Sequence, residues 1–265
     1  MRSALFALGL SAFVASPALA TEDCPGRVVW SAPRAAGDVA AGWPLGPGDT
    51  PQWGKDTAAI VAGASGPEIV TRFPRGSINP GNPDAPEGGA GFLDRFARRY
   101  EAGCLTYEVR FDDGFDFGQG GKLPGLFGGK HTSGCTPDRN SGFSTRYMWG
   151  RHGTGFLYPY FASRDTPCGG MIGLGRFHFT PGTWHRITQK VRLNSDHQPD
   201  GEVDIWFDGV LVVEETGLEI RADPSVEIEG VMFATFFGGS DPSRASPADQ
   251  SMHLRNFRFL VEDLT

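Results

Sequence analysis

From Cys104 to its end, the chain is a succession of short runs alternating apolar and polar residues, cut by turns rich in Gly, Asn, Asp and Pro. Successive side chains of a strand face opposite ways, so such runs read as strands with one buried face. Leu105-Thr-Tyr-Glu-Val-Arg-Phe111 alternates, and so does the run from Trp184 to Leu193. Glu202-Val-Asp-Ile-Trp-Phe207 turns at Asp208-Gly209 into Val210-Leu-Val-Val213, a strong hairpin signal. The runs Val231 to Phe237 and Leu254 to Leu260 complete the series. Many strands joined by glycine-rich turns predict an all-β sandwich. Residues 35–86 read as loop-rich, and only Phe92 to Tyr100, after a glycine cluster, is a candidate for a short helix.

Residues 1–20 have the pattern of a secretory signal: Arg2 at the positive end, an apolar core from Ala4 to Val14, and Ala18-Leu-Ala20 as a small-residue cleavage site. The apolar run is too short to cross a bilayer. The expectation is an exported protein, periplasmic or secreted, whose residues 21–265 form a single domain. That is long for one domain but common for an undivided all-β sandwich. No linker, internal repeat or low-complexity tail interrupts it.

Charge is unevenly spread. The formal net charge is −7, yet residues 117–164 hold six Lys/Arg (Lys122, Lys130, Arg139, Arg146, Arg151, Arg164) against one acid, Asp138. A local basic strip on an acidic body suits an anionic ligand, because field focusing follows local rather than net charge. Within the strip, Phe143, Thr145, Tyr147 and Trp149 share one strand face and Ser144, Arg146 and Met148 the other. Gly150-Arg-His-Gly-Thr-Gly155 is a turn suited to a hairpin. A turn centred near His152 sets Arg146 opposite Tyr158 and Ser144 opposite Tyr160, and cross-strand partners lie about 4.5–5.5 Å apart at Cβ. A slip of one residue would scatter the group.

Gly-Gly-Lys122-Leu-Pro-Gly-Leu, Ser144-x-Arg146, Tyr158-x-Tyr160 and Thr-Phe-Phe-Gly-Gly at Thr235 to Gly239 stand in an order that resembles polysaccharide lyase family 14, the alginate and glucuronan lyases. The resemblance runs from about Cys104 to the C-terminus. It implies a β-jelly roll of the concanavalin A-like kind, two antiparallel sheets with sugar chains held on the concave one. It also implies an active site of Lys122, Ser144, Arg146, Tyr158 and Tyr160. Phe127 departs from the pattern, since many members have tyrosine there.

The chemistry expected is β-elimination on a polyuronate, glucuronan or mannuronate-rich alginate. A base removes the C5 proton beside the carboxylate and the C4 oxygen leaves. The carboxylate must be neutralised for that carbon to be acidic, by donors positioned in advance. Lys122 and Arg146 suit this task. Proton transfer is assigned to the tyrosines, with Tyr160 as base/acid and Tyr158 assisting. Their ordinary pKa of about 10 would be brought down by nearby cations such as Arg146. Ser144 orients a tyrosine or binds substrate. Lys130, His131 and the aromatic Trp149 are nominated as further substrate contacts.

Four cysteines in an exported chain suggest two disulfides with three possible connectivities. The favoured pairs are Cys135 with Cys168, bracing loops that flank the site, and Cys24 with Cys104. No cofactor is called for and no metal ligands are nominated, although a structural calcium is compatible with the architecture. The expected partner is an anionic polysaccharide bound by a monomer, with no nucleic acid and no membrane. Gly121-Lys122 is not a phosphate-binding loop, since Leu123 stands where Ser or Thr is needed. Ser144 lacks the nucleophile elbow. Two rival readings remain. Glu202-Val-Asp204-Ile-Trp-Phe-Asp208 resembles the carboxylate run of jelly-roll glycoside hydrolases but lacks the last glutamate, so it reads as a hairpin strand. A non-catalytic carbohydrate-binding protein on the same sandwich would need neither Lys122 nor the tyrosines.

Overall fold

The computed structural model describes residues 24–43, 52–130 and 133–262, so the proposed signal at residues 1–20 and the nominated His131 lie outside the described residues. In chain order the strands are β1 (Arg27–Ala32), β2 (Ala58–Gly63), β3 (Gly66–Phe73), β4 (Ala90–Tyr100), β5 (Ala102–Phe111), β6 (Gly121–Leu123), β7 (Gly125–Gly129) and β8 (Gly142–Trp149). They continue with β9 (Thr154–Tyr160), β10 (Ile172–His178), β11 (His185–Arg192), β12 (Gly201–Phe207), β13 (Val210–Leu218), β14 (Ile228–Phe237) and β15 (Gln250–Val261). One helical turn, Val39–Gly42, follows β1.

Two antiparallel sheets result, the sandwich that the alternating runs predict. An eight-stranded sheet runs β13-β12-β11-β5-β15-β3-β2 with β1 added on β15. A seven-stranded sheet runs β10-β9-β8-β6-β14-β4, with β7 between β14 and β8. Their inner faces meet in an aromatic core in which Phe92 stacks on Phe233 at 4.6 Å and Tyr107 on Phe257 at 4.6 Å. Both favoured disulfides are formed, Cys24–Cys104 and Cys135–Cys168.

Two expectations are corrected. Phe92 to Tyr100 is not helical but belongs to β4, paired with β14 from Thr235↔Ala90 to Ile228↔Tyr100. Its aromatic residues are spaced by four, an even number, so Phe92, Phe96 and Tyr100 can also share a strand face, and pairing with β14 decides. The loop-rich stretch before it contains the β2–β3 hairpin, in register from Ala58↔Thr71 to Gly63↔Gly66. Asp94 in β4 is fully buried and accepts from the indole Nε1 of Trp30 at 3.1 Å and of Trp43 at 2.7 Å. That carboxylate and the Cys24–Cys104 bridge fasten the N-terminal segment to the sandwich.

Candidate active site

The outer face of the seven-stranded sheet collects the polar residues in cross-strand rows. The β8–β9 hairpin has the register expected: Ser144↔Tyr160, Arg146↔Tyr158 and Trp149↔Gly155, centred on His152 at a left-handed φ of 57°. Lys122 of β6 pairs with Met148 on one side and Phe236 of β14 on the other. Directly paired residues share a face, so Phe156, Met148, Lys122 and Phe236 form one row. Tyr158 and Arg146 form the next, and Tyr160, Ser144 and Phe127 the third. The Gly-Gly-Lys motif is explained at Gly121, where a Cβ would stand 2.1 Å from the Trp149 ring and 2.4 Å from Phe236 O. Only glycine lets β6 lie against that indole.

Side chains converge across the rows. Lys122 Nζ lies 3.1 Å from the centre of the Tyr158 ring and donates to Met148 Sδ at 3.0 Å. The two phenol rings stand 5.7 Å apart, nearly edge to face. The Arg146 guanidinium is 5.8 Å from the Tyr160 ring centre. Lys122, Arg146, Ser144 and Tyr160 are buried, at 8%, 3%, 0% and 2% exposure, whereas Tyr158 is only half-buried. Among the described residues no carboxylate pairs with Lys122 or Arg146, and Arg146 Nε has no hydrogen-bond partner. Burying two basic groups side by side without an acidic partner among the described residues is costly: it favours the neutral form of the amine and leaves the guanidinium charge uncompensated.

Burial and then the field of Arg146 hold the Lys122 amine well below its ordinary range. Burial pulls Arg146 down to about 10, with the phenols of Tyr160 and Tyr158 acting the other way, so it remains charged at neutral pH. Tyr158 is pushed up by burial first and by Tyr160 second, against the opposing pull of the Gly169 N–H and Arg146. The expectation that Arg146 brings this phenol down therefore fails at Tyr158, because desolvation outweighs the cation.

Of the nominated residues, Lys122, Ser144, Arg146, Tyr158 and Tyr160 are brought together. Trp149 is not: it is fully buried in the core against Phe73, Phe111, Phe115 and Phe237, and its Nε1 donates to Phe117 O at 3.3 Å. Its odd position in β8 gives it the face opposite Arg146, so it is corrected to a core residue. Lys130 is exposed at the end of β7, its N–H bonded to Ser141 O at 2.8 Å. Phe127 is fully buried beside Ser144, with the Arg95 guanidinium 5.5 Å from its ring centre.

Three contributors were not nominated. Met148 follows the Ser144-x-Arg146 alternation, which is the signal that finds it. Phe236 lies within the Thr235 to Gly239 motif, and the β14–β6 register is what sets it beside Lys122. Arg164 is buried and donates to Phe161 O at 2.9 Å, to Thr136 O at 3.1 Å and to Asp138 O, fastening the loop before β8 to the loop after β9. No sequence pattern marks it.

The rival carboxylates sit on the other sheet. Glu202 receives Arg192 Nε at 3.1 Å and Nη2 at 2.7 Å, which keep it below the usual carboxylate range. Asp208 is a turn residue holding His185 Nδ1 at 2.7 Å and the Arg186 N–H at 2.8 Å. Val203 and Ile205 take the inner face of β12 and leave Glu202 and Asp204 outside. No group of three or more His, Cys, Asp or Glu able to hold a metal ion occurs among the described residues. No helix among them is long and apolar enough to cross a membrane.

Comparison with known proteins gives the same direction. The sequence model of the family described as polysaccharide lyase 14 matches residues 62–257, beginning well upstream of Cys104. An alginate lyase of that family from Aplysia kurodai has 30% identity and a TM-score of 0.75 over 89% of this chain and 99% of its own. Alginate lyase vAL-1 from Chlorella virus has 26% identity and a TM-score of 0.66 over 77% of this chain and 88% of its own. An endo-β-1,4-glucuronan lyase from Trichoderma reesei, at 12% identity and a TM-score of 0.54 over 87% of this chain and 96% of its own, shares the fold. A search of curated proteins gives no match.

Proposed function

The chain belongs to the polysaccharide lyase 14 family, and from that premise we propose that it is an exported enzyme cleaving mannuronate-rich alginate or glucuronan by β-elimination. The observation that carries this reading is the buried pair Lys122 and Arg146, without an acidic partner among the described residues, facing two phenols. Such a pocket wants a carboxylate beside a proton to be moved. Alginate comes first because the Aplysia and Chlorella virus proteins are alginate lyases. Export is supported by the leader-like residues 1–20 and by two disulfides.

In this reading Arg146, charged at neutral pH, grips the uronate carboxylate, and its fork matches that group. The roles of the other two groups follow from environments that push their protonation in opposite directions. Lys122, held below its ordinary range, has a free amine to take the C5 proton. Tyr158, held above its own, keeps a proton to give to the C4 oxygen as the C4–O bond breaks. The C4–C5 double bond then carries the electron pair left by the proton. Tyr160 and Ser144 orient Tyr158 and the sugar, and Lys130 and His131 remain nominated as substrate contacts. This assignment moves the base from the tyrosine pair to Lys122, because burial favours neutral forms of both groups. It calls on side chains alone, in a monomer.

Lys122 and Tyr158 approach from one sheet face, so base and acid meet the sugar from one side. In β-D-mannuronate and β-D-glucuronate the C5 hydrogen and C4 oxygen lie on the same side, whereas guluronate needs groups on opposite sides. The test is absorbance of the unsaturated product on mannuronate-rich alginate, guluronate-rich alginate and glucuronan, beside Tyr158→Phe and Tyr160→Phe. A rise with wild type that Tyr158→Phe abolishes supports the reading. New reducing ends without a rise would sink it, and faster cleavage of pure guluronate blocks would sink the one-sided geometry.

A further inference from the structure

The chain on each side of the Cys135–Cys168 bridge touches one of the two phenols. Cys135 N–H donates to Tyr160 Oη at 3.2 Å, and Gly169, the residue after Cys168, lies against the Tyr158 ring. Gly170 N–H donates to Pro159 O at 2.9 Å, so residues 168–170 run along the strand that carries both tyrosines. They run close to it: a Cβ on Gly169 would stand 2.7 Å from Tyr158 Cε1 and 2.8 Å from Cδ1. Cys135 has a left-handed φ of 57°, a conformation that a non-glycine residue keeps only where its surroundings impose it. The surroundings here are the bridge itself and the Arg164 bonds to Thr136 O and Asp138 O.

We infer that the Cys135–Cys168 disulfide is a positioning clasp for proton transfer, fixing the Cys135 amide that holds the Tyr160 oxygen and the Gly169 backbone that backs the Tyr158 ring. The inference rests on the lyase reading above and deepens it. Arg146, which grips the carboxylate, belongs to β8 and is anchored by sheet pairing rather than by the clasp. Opening the bridge therefore loosens the phenols and spares polymer binding. Gly169 is part of the clasp because no side chain fits between it and the Tyr158 ring.

The two bridges differ in a way that makes this testable on the whole protein. Cys135 is exposed and Cys168 half-buried, whereas Cys24 and Cys104 are buried at 8% and 4% exposure. A dithiol such as dithiothreitol, under native conditions, should open the first alone. It gives two electrons and two protons to the bridge and becomes a cyclic disulfide, and mass spectrometry after alkylation counts the thiols released. The expected result is a fall in kcat of about tenfold or more, an unchanged KM, and recovery on reoxidation. Gly169→Ala should reproduce the fall in kcat with both bridges intact. Cys24→Ser with Cys104→Ser should lower Tm and keep kcat.

An unchanged kcat after opening, or in Gly169→Ala, overturns the clasp, as does a rise in KM alone. The hydrogen-bonding state of the Tyr160 phenol gives a readout independent of catalysis. The tyrosine doublet in ultraviolet resonance Raman spectra, taken as wild type minus Tyr160→Phe, should change when the bridge opens. An unchanged doublet overturns the clasp even if no polymer is cut. Failure of oxidised wild type to form unsaturated product, with a doublet that does change, instead removes the lyase reading.

Discussion

Lys122 Nζ stands 3.1 Å from the centre of the Tyr158 ring, so the proton acceptor and the proton donor of the proposed elimination are in contact before substrate arrives. In water a lysine and a tyrosine titrate close together, at about 10.4 and 10. Here the amine is held down and the phenol held up, which reverses that order and makes neutral amine with neutral phenol the resting pair between the two values. A same-side elimination needs that starting state.

The pH dependence of kcat/KM follows. This ratio reports the free enzyme. It should rise as Lys122 loses its proton, at a pH below the ordinary 10.5 of lysine, and fall only above the ordinary 10.0 of tyrosine, as Tyr158 ionises. Initial rates of absorbance increase at low substrate concentration measure both limbs. A kcat/KM with no lower limb, or with one at or above the ordinary 10.5 of lysine, would contradict the assignment of Lys122.

Arg146 tests the same coupling from the other side. Its field is the second cause of the low Lys122 pKa, so Arg146→Met should let the amine rise and move the lower limb of kcat/KM to higher pH. The rate itself should drop by about 10²–10³, the scale for losing one prepositioned donor to developing charge. Arg146→Lys keeps a charge without the fork and should recover only part of that loss.

Lys122→Met should remove activity by a factor of about 10²–10⁴, the range for a general base, and also stabilise the fold. A buried amine whose pKa is depressed binds fewer protons folded than unfolded, so it costs stability below its folded pKa and the cost fades as pH rises toward 10.5. The variant should therefore melt higher than wild type at pH 7, with the gap closing in alkali. Thermal unfolding at several pH values checks the sign.

The site was legible because period-two alternation is a strong constraint. Gly150 to Gly155 marks the hairpin, and once its centre is fixed at His152, Arg146 must face Tyr158. The same rule excluded Trp149 from that face, and nominating it as a sugar platform gave chemical type more weight than parity. Asp94 escaped notice because an aspartate in a strand reads as solvated, and its two indole partners lie 64 and 51 residues away. β4 was ambiguous because aromatics spaced by four satisfy both helix and strand. The depressed Lys122 was invisible for a different reason: alternation puts it on an outer sheet face, and its burial there comes from tertiary neighbours that no local pattern marks.

Trp149 gives a direct contrast between core and site. Trp149→Ala should cost about 3–5 kcal/mol, or about 10 °C in Tm, since the indole fills the space among Phe73, Phe111, Phe115 and Phe237. Trp149→Phe should lose less and leave KM for polymer unchanged. A large rise in KM at unchanged Tm would return the residue to the substrate.

The last prediction concerns the carboxylates that a hydrolase would use. Glu202→Gln with Asp204→Asn should keep full elimination activity, because both side chains project from β12 on the outer face of the opposite sheet. Stability should barely move. Losing the Glu202–Arg192 pair, whose partners are 39% and 40% exposed, costs about 0.2–1 kcal/mol. Asp204 acts the other way, since burial and the neighbouring Glu214 hold its carboxyl above the usual range. A carboxylate raised in the folded state is a burden at neutral pH, and the burden shrinks as pH falls and the group takes up its proton. Asparagine removes it, so the two changes largely offset. Product analysis of the double variant decides between chemistries: unsaturated ends at the wild-type rate keep the reaction on the Lys122 face, and their loss with an unchanged Tm would move it to β12.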